Sequence, residues 1–230
     1  ELQKDWAKYL DSWVKTDKEV GKILNDLKIA GRLDSTAVFL WADHGVSHLR
    51  GKQFLYEEGI RVPMIIRLPR MQRAGTVRDD LIEHIDVAAC SLNLAGIKVP
   101  DNIQGRDFLS ADYKSRRFIF AGRDRCDETV DIQRCVRDSR YKYIRNFMSH
   151  IPHTQPSQYK DGKKIMQVLR GLHKEGKLNE QQARPFAPRR PPEELYDLDS
   201  DPYELVNLAL EPKHQNNLLA MRKVLIQKMI

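Results

Sequence analysis

The sequence contains few cysteines and no long apolar segment. Its 230 residues include three cysteines, Cys90, Cys126 and Cys135, and no pair has Cys-x-x-Cys spacing. This pattern argues against a disulfide scaffold and against a structural zinc site. The longest apolar run, residues 37–42, is far shorter than the roughly 18 to 20 residues that span a bilayer, so we expect no membrane span. A basic-then-apolar leader is also missing, so we expect any targeting segment to lie outside this sequence.

The charge is balanced in the first half of the chain and basic in the second. Residues 1–105 hold 15 Lys and Arg against 15 Asp and Glu, whereas residues 106–230 hold 24 against 17. The positive field of the second half would attract nucleic acid, an anionic polysaccharide or a small anion. Composition alone does not indicate which of these is the partner. Because the chain lacks the aromatic and glycine signatures of an RNA-binding domain, we expect no nucleic-acid partner.

The first half alternates helical and strand patterns. Apolar residues recur with a helical period over residues 6–27, and Gly31 is placed to end that helix. The continuous segment at residues 36–41 is typical of a strand buried on both faces of a parallel sheet, and residues 60–67 are predicted as a second buried strand. Asp86 is placed to cap a further helix that runs to residue 95. This alternation favours an α/β fold.

The second half has a different pattern, with short segments typical of antiparallel strands that have one polar face. The predicted strands are residues 117–121, 132–136, 141–144 and 194–198, and helices are predicted near residues 165–175 and 218–230. Residues 148–162 and 184–193 are rich in proline, histidine and polar residues, which indicates long loops. We therefore expect two domains, residues 1–105 and residues 106–230, the second a smaller α+β subdomain with a short antiparallel sheet.

The first candidate for chemistry follows the strand predicted at residues 36–41. Asp43 and His44 come directly after it, and ligands of open α/β sheets bind at the carboxyl ends of strands. Asp43 offers a hard oxygen ligand to a divalent cation, and His44 is either a second ligand or a proton donor to a bound oxyanion. Capping of the following turn is the simpler role for Asp43.

Basic side chains follow this pair on the same predicted loop. His48, Arg50 and Lys52 lie there, with Gly51 directly before the lysine. A metal ion with Lys52 and His44 beside it would clamp a tetrahedral oxyanion and neutralise charge on the transferring group. The residues themselves therefore predict a site for an anionic substrate.

The same segments carry a resemblance to a known family. Trp41-Ala-Asp-His-Gly45, then Gly51-Lys52, then Leu55-Tyr-Glu-Glu-Gly-Ile-Arg-Val-Pro63 resemble the second-half signature of type I sulfatases, members of the alkaline-phosphatase superfamily. Further matches along nearly the whole chain are Val20-Gly-Lys-Ile-Leu24, His84-Ile-Asp86, Leu94-Ala-Gly96, Val136-Arg137, Tyr141-Lys-Tyr143, Glu194-Leu-Tyr-Asp-Leu198, Asp201-Pro202 and Asn207-Leu-Ala209. The order and the spacing together make the resemblance specific.

This resemblance implies a fold, a reaction and a set of roles. The fold would be part of an alkaline-phosphatase-like mixed sheet flanked by helices, and the reaction hydrolysis of a sulfate ester or sulfamate of a carbohydrate. Asp43 would bind a divalent cation, Ca²⁺ by resemblance with Mg²⁺, Zn²⁺ or Mn²⁺ as alternatives. His44 would complete that metal site and take part in catalysis, and Lys52 would hold the sulfate. By resemblance, the protein would be periplasmic, secreted or lysosomal.

Two parts of the family pattern are missing. Such sulfatases use a formylglycine made from Cys or Ser in a Cys/Ser-x-Pro-x-Arg segment, and these 230 residues contain none. The family's amino-terminal Asp-Asp metal pair is also absent. We therefore expect this chain to be the second half of a sulfatase about twice as long, to need the amino-terminal half of the same protein as its partner, and to be inactive alone because the nucleophile lies upstream.

Four further side chains are candidates for contacting a sulfated saccharide or another sulfate ester. His48 and Arg50 lie near Lys52, Arg123 follows a predicted strand, and His153 lies in a proline-rich loop. Arginine binds sulfate or carboxylate groups with two parallel hydrogen bonds, although a surface ion pair is the simpler role for Arg123.

Two other functions stay open on sequence grounds. A phosphodiesterase or phosphonate hydrolase of the same superfamily would hold Zn²⁺ or Mn²⁺ with an Asp-His pair such as Asp43 and His44. A non-enzymatic polyanion-binding module would bind with a steep salt dependence and would tolerate Asp43→Ala.

Overall fold

The structure is a computed structural model in which residues 2–230 are described, and the chain divides into two units. Unit 1 comprises Glu1–Thr76, Arg125–Val130 and Ser149–Arg190, and unit 2 comprises Val77–Asp124, Asp131–Met148 and Pro191–Ile230. The predicted domain boundary between residues 105 and 106 stays a prediction. Among the helices of residues 2–230, none combines the length and apolarity needed to cross a membrane.

Unit 1 begins with a long helix, α1 (Leu2–Ile29), which confirms the helix predicted for residues 6–27. Gly31 has a φ of 64°, the left-handed conformation that ends many helices, as predicted. No residue of α1 is buried, and the apolar stripe includes Trp6 and Trp13, which are 48% and 47% exposed. The stripe that predicted the helix therefore faces solvent over much of its length.

A two-stranded sheet follows α1, formed by β1 (Val38–Trp41) and β2 (Met64–Arg67). The strands are antiparallel, in a register that pairs Val38 with Arg67 and Trp41 with Met64. The expectation of a parallel sheet buried on both faces was wrong here, since Ile65 is 64% exposed. The chain between the strands turns back on itself and includes helix α2 (Glu57–Ile60). The second strand was predicted for residues 60–67 and begins only at Met64, because Ile60 is the last residue of α2 and residues 61–63 lie outside any strand.

Three helices of unit 1 lie later in the sequence: α4 (Gln158–Asp161), α5 (Lys164–Lys174) and α6 (Glu180–Ala183). Helix α5 confirms the helix predicted near residues 165–175. The Ser157 side chain caps α4 by accepting the backbone N–H of Lys160. Helix α4 lies within residues 148–162, which were predicted from their composition to form a loop.

Unit 2 contains most of a four-stranded sheet and the last helix. The strands are β3 (Ile119–Cys126), β4 (Thr129–Arg137), β5 (Tyr141–Asn146) and β6 (Glu193–Asp197), hydrogen-bonded in the order β3-β4-β5-β6. The pairs β4–β5 and β5–β6 are antiparallel. Helix α7 (Gln215–Met229) packs Leu218, Met221 and Leu225 against Val136, Tyr143 and Leu195 of the sheet. The predicted antiparallel sheet and the closing helix are confirmed.

Helix α3 (Ile85–Leu94) of unit 2 was predicted with Asp86 as its cap, and that role was wrong. His84 precedes the helix, and the fully buried Asp86 lies in its first turn. The Asp86 carboxylate accepts the backbone N–H groups of Glu83 and Arg106, at 2.8 and 2.7 Å, and forms an ion pair with Arg116. A buried carboxylate needs such partners, so Asp86 ties α3 to the chain that follows it.

Candidate active site

Asp43 and His44 lie directly beyond β1, as predicted. The Asp43 side chain is 86% exposed, and its Oδ2 lies 3.4 Å from Nε2 of His44. The backbone N–H of His44 donates to Oδ1 of Asp43 at 3.0 Å. His44 Nδ1 lies 2.8 Å from the carbonyl oxygen of Gly45, which only accepts, so the proton of the neutral ring is on Nδ1 and the lone pair on Nε2.

This arrangement fits part of a cation site. An exposed carboxylate oxygen and an imidazole nitrogen that carries a lone pair lie side by side, and both atom types bind divalent metals. Within residues 2–230, no three His, Cys, Asp or Glu side chains are grouped so that they could hold a metal ion together. Among the described residues, Asp43 and His44 therefore offer two candidate ligands and no grouped third.

The chain from Gly45 to Gly59, here called the lysine loop, is closed on itself by three glycines. A Cβ added to Gly45 would lie 1.6 Å from the carbonyl oxygen of Glu58, and one on Gly51 would lie 1.8 Å from that of Val46. A Cβ on Gly59 would lie 2.2 Å from the carbonyl oxygen of Phe54. The backbone therefore approaches itself as only glycine permits.

Backbone hydrogen bonds follow from this close approach and fix the position of Lys52. The N–H of Gly45 donates to the carbonyl of Gly59 at 3.0 Å, and the N–H of Lys52 donates to that of Val46 at 2.9 Å. The residue after Lys52, Gln53, has a φ of 82°, which is strained for a side chain other than glycine. The loop thus holds the lysine backbone in one place.

Comparisons with known proteins show which proteins this chain is similar to. Residues 3–97 match the family model described as Sulfatase. An ulvan-active sulfatase of Formosa agariphila is 40% identical over 225 residues, which is 97% of this chain. Residues 3–97 therefore carry a sulfatase-family domain, and the likeness to sulfatases extends along nearly the whole chain. The chain spans only 38% of the length of that relative.

Other sulfatases match shorter parts of the chain or its fold. An N-acetylglucosamine-6-O-sulfatase of Bacteroides thetaiotaomicron is 37% identical over 101 residues, covering 42% of this chain and 18% of the relative. The structure of BT4656 with its substrate D-glucosamine-2-N,6-O-disulfate has a TM-score of 0.66 at 22% identity, covering 92% of this chain and 37% of that one. At this identity the likeness shows the fold alone, and it supports the predicted alkaline-phosphatase-like α/β class.

A phosphonate monoester hydrolase of Agrobacterium radiobacter has the same fold. Its TM-score is 0.65 at 19% identity, and the match covers 93% of this chain and 39% of the hydrolase. The fold by itself therefore does not separate sulfate from phosphonate chemistry.

Three of the predicted substrate-binding residues pack against aromatic rings. The His48 ring packs 5.1 Å from the ring of Trp6 and 5.7 Å from that of Tyr9. The Arg50 guanidinium lies 4.0 Å from the centroid of the Tyr56 ring, and the ring of the buried His153 lies 6.1 Å from the same centroid. Their contact with substrate stays a prediction.

The environment of His48 also sets its charge. Burial lowers the pKa of His48 from its ordinary value of 6.5, and the Lys163 ammonium lowers it further. The imidazole is therefore neutral at pH 7, and any contact that it makes with an anion at that pH is as a neutral hydrogen-bond donor.

Arg123 has a different setting from the other six predicted residues, because it belongs to unit 2 and they belong to unit 1. It is 8% exposed, and its guanidinium lies 3.6 Å from a carboxylate oxygen of the fully buried Asp131. The ion pair that the sequence left open for Arg123 is present, although with a buried partner rather than at the surface. Its role toward substrate stays a prediction.

Two residues that contact the lysine loop were not predicted from any sequence pattern. Tyr159 and Lys160 of α4 touch Ser47, His48 and Lys52 through side-chain and backbone atoms. More than 100 residues separate the two segments, and no motif links them. Only the fold brings them together.

Proposed function

We propose that the whole protein hydrolyses sulfate esters or sulfamates of a carbohydrate, and that this chain contributes Asp43, His44 and Lys52 to the site. The observation that carries the proposal is the glycine-closed lysine loop, which fixes Lys52 shortly after the exposed Asp43–His44 pair. The match of residues 3–97 to the Sulfatase family model and the likeness to an ulvan-active sulfatase support the reaction class. The names of the relatives, an ulvan-active sulfatase and an N-acetylglucosamine-6-O-sulfatase, support a sulfated saccharide as substrate.

Asp43 and His44 would hold a divalent cation, Ca²⁺ by family resemblance with Mg²⁺, Zn²⁺ or Mn²⁺ as alternatives. Such a cation supplies positive charge that neutralises the sulfate oxygens. Asp43 contributes a carboxylate that is already exposed and oriented by the backbone N–H of His44. His44 contributes Nε2, which ligates when it carries the lone pair and donates a hydrogen bond when it is protonated.

Lys52 would bind the sulfate directly. Its ammonium is a compact positive charge, and the loop that carries it is fixed before substrate arrives. A fixed charge stabilises the transition state without the cost of reorganisation at the moment of reaction. His48, Arg50, His153 and Arg123 are proposed as saccharide contacts on sequence grounds alone.

The nucleophile would be a formylglycine encoded upstream of this chain, which supplies the oxygen that attacks sulfur. The chain contains no Cys/Ser-x-Pro-x-Arg segment, and it spans 38% of the ulvan-active relative. We propose that the amino-terminal half of the same protein provides this residue, and that the present chain alone is inactive. A periplasmic, secreted or lysosomal location is proposed from the family resemblance.

The metal assignment is tested by Asp43→Asn in the full-length protein. We expect the variant to lose bound divalent cation, measured by mass spectrometry of metals, and to lose sulfate release. Because the side chain is 86% exposed, the free energy of unfolding should change by less than about 0.5 kcal/mol. Asp11→Asn, on the exposed surface of α1, is the matched control and should behave as wild type.

A turn-capping role for Asp43 makes the opposite prediction. Stability would then fall by about 0.5 to 2 kcal/mol while metal content and activity were retained, and the metal assignment would be wrong. A wild-type protein that carries Zn²⁺ or Mn²⁺ and cleaves phosphonate esters in preference to sulfate esters would favour the phosphonate hydrolase alternative.

A further inference from the structure

Two neighbouring residues of helix α4 contact the lysine loop in different ways. Lys160 is 3% exposed, and its ammonium donates hydrogen bonds to the backbone carbonyls of His48, at 2.6 Å, and Lys52, at 2.9 Å. The same ammonium lies 5.4 Å from the centroid of the Phe54 ring. Lys160 therefore joins the backbone at His48 to the backbone at Lys52, the candidate sulfate-binding lysine.

Tyr159 contacts the side chain of Lys52 rather than its backbone. The Lys52 ammonium lies 4.7 Å from the centroid of the Tyr159 ring, and the hydroxyl of Tyr159 is 2.8 Å from Oγ of Ser47 in the same loop. A second ammonium, that of Lys163, lies 4.4 Å from the same centroid. The Ser47 hydrogen bond lowers the pKa of Tyr159, and the positive charges of Lys163 and Lys52 lower it further.

We propose that Tyr159 is a positioning residue for Lys52. The Tyr159 ring sets the direction of the Lys52 ammonium, and Lys160 holds the Lys52 backbone through its carbonyl. This inference rests on the proposed function. A lysine side chain has four carbons and many rotamers, so a fixed backbone alone does not aim its charge. The attraction between an ammonium and an aromatic face reduces the number of rotamers that the lysine side chain adopts. A charge that is already in position contributes more to turnover than one that must first be ordered.

The geometry assigns the ring and the hydroxyl of Tyr159 separate tasks. The ring faces the ammonium, and the hydroxyl anchors the ring to Ser47. Tyr159→Phe keeps the ring and should therefore keep most of the effect, whereas Tyr159→Leu removes it. Because Tyr159 is 39% exposed, both variants should fold.

The experiment is a double-mutant cycle in the full-length protein with Lys52→Ala, Tyr159→Leu and the combined variant. For Tyr159→Leu alone we expect a kcat about threefold to tenfold lower, with a small change in KM, and a Kd for inorganic sulfate that rises by a similar factor in calorimetry. In the Lys52→Ala background the same substitution should change neither quantity. Tyr203→Leu, at a tyrosine that is 70% exposed in unit 2, is the matched control.

Each outcome decides the proposal. A Tyr159→Leu effect of equal size with and without Lys52 overturns it, because the ring would then act independently of the lysine. A Tyr159→Phe variant as impaired as Tyr159→Leu overturns the assignment to the ring. If wild type releases no sulfate from any ester, the proposed function fails, and the calorimetric cycle still tests the positioning role. A wild type that does not bind sulfate overturns both.

Discussion

Gly51→Ala should displace Lys52, because the added methyl group has no space. Its Cβ would lie 1.8 Å from the carbonyl oxygen of Val46 and 2.9 Å from the carbonyl carbon. Side-chain Cβ atoms essentially never approach other heavy atoms closer than 3.0 Å, so the two backbone segments must move apart by about an ångström or more. The carbonyl that must move is also the one that accepts the N–H of Lys52 at 2.9 Å.

Two magnitudes follow from this overlap. Forcing an extra carbon into a closely packed backbone costs about 1 to 3 kcal/mol of unfolding free energy. A catalytic group displaced by about 1 Å costs about 10²-fold in rate. We therefore expect Gly51→Ala to lower kcat/KM for a sulfate ester about 10²-fold at a temperature where the variant is still folded.

The assay pairs urea unfolding with steady-state sulfate release, both on the full-length protein. Gly21→Ala is the matched control, because a Cβ at Gly21 of α1 meets no atom within 4 Å. Alanine there should stabilise the helix by about 0.5 to 1 kcal/mol and leave turnover unchanged. If Gly51→Ala behaves like Gly21→Ala in both measurements, the close approach does not position Lys52 and the reasoning is refuted.

Two further predictions concern buried groups of unit 2 and the cysteines. Arg116→Met should lower the free energy of unfolding, measured by urea titration, by about 3 to 5 kcal/mol, because it leaves the fully buried Asp86 carboxylate without its ion pair. Arg117→Met, at an exposed arginine, is the control. Equal effects of the two variants would contradict a stabilising role for the Arg116–Asp86 ion pair. Burial raises the pKa of the Cys90 thiol to about 12, and Cys135 is 1% exposed, so iodoacetamide at pH 8 should label Cys126 first by mass spectrometry. Labelling of Cys90 in the native protein would contradict this.

Local patterns predicted most of the elements, and their failures share a cause. The patterns of β4 and β5 and the apolar stripe of α1 depend on neighbours in sequence, and all three elements formed as predicted. The direction of β2 relative to β1 depends on how residues 42–63 fold back. The apolar residues of the two strands do not determine that path. Long-range partners decide such features.

Local sequence patterns also miss the long-range side-chain partners of Asp86 and of the lysine loop. A helix-capping rule considers the few residues that follow Asp86, whereas its partners Arg106 and Arg116 lie 20 and 30 residues away. The motif around Asp43 and Lys52 was visible because its residues are close in sequence. Tyr159, more than 100 residues from the loop that it contacts, could be found only in the fold.

The most direct test of the central claim is sulfate release by full-length Lys52→Ala, measured at steady state with a sulfated aryl ester, or with a sulfated sugar if the aryl ester is refused. We expect turnover to fall by about 10² to 10³, the range for deletion of one preorganised charge-stabilising group. Lys52→Arg should restore little activity because its planar guanidinium does not reproduce a point charge. Lys15→Ala, at a lysine whose side chain is 81% exposed on α1, should match wild type. Turnover of Lys52→Ala equal to that of Lys15→Ala would contradict the assignment of Lys52 to the sulfate.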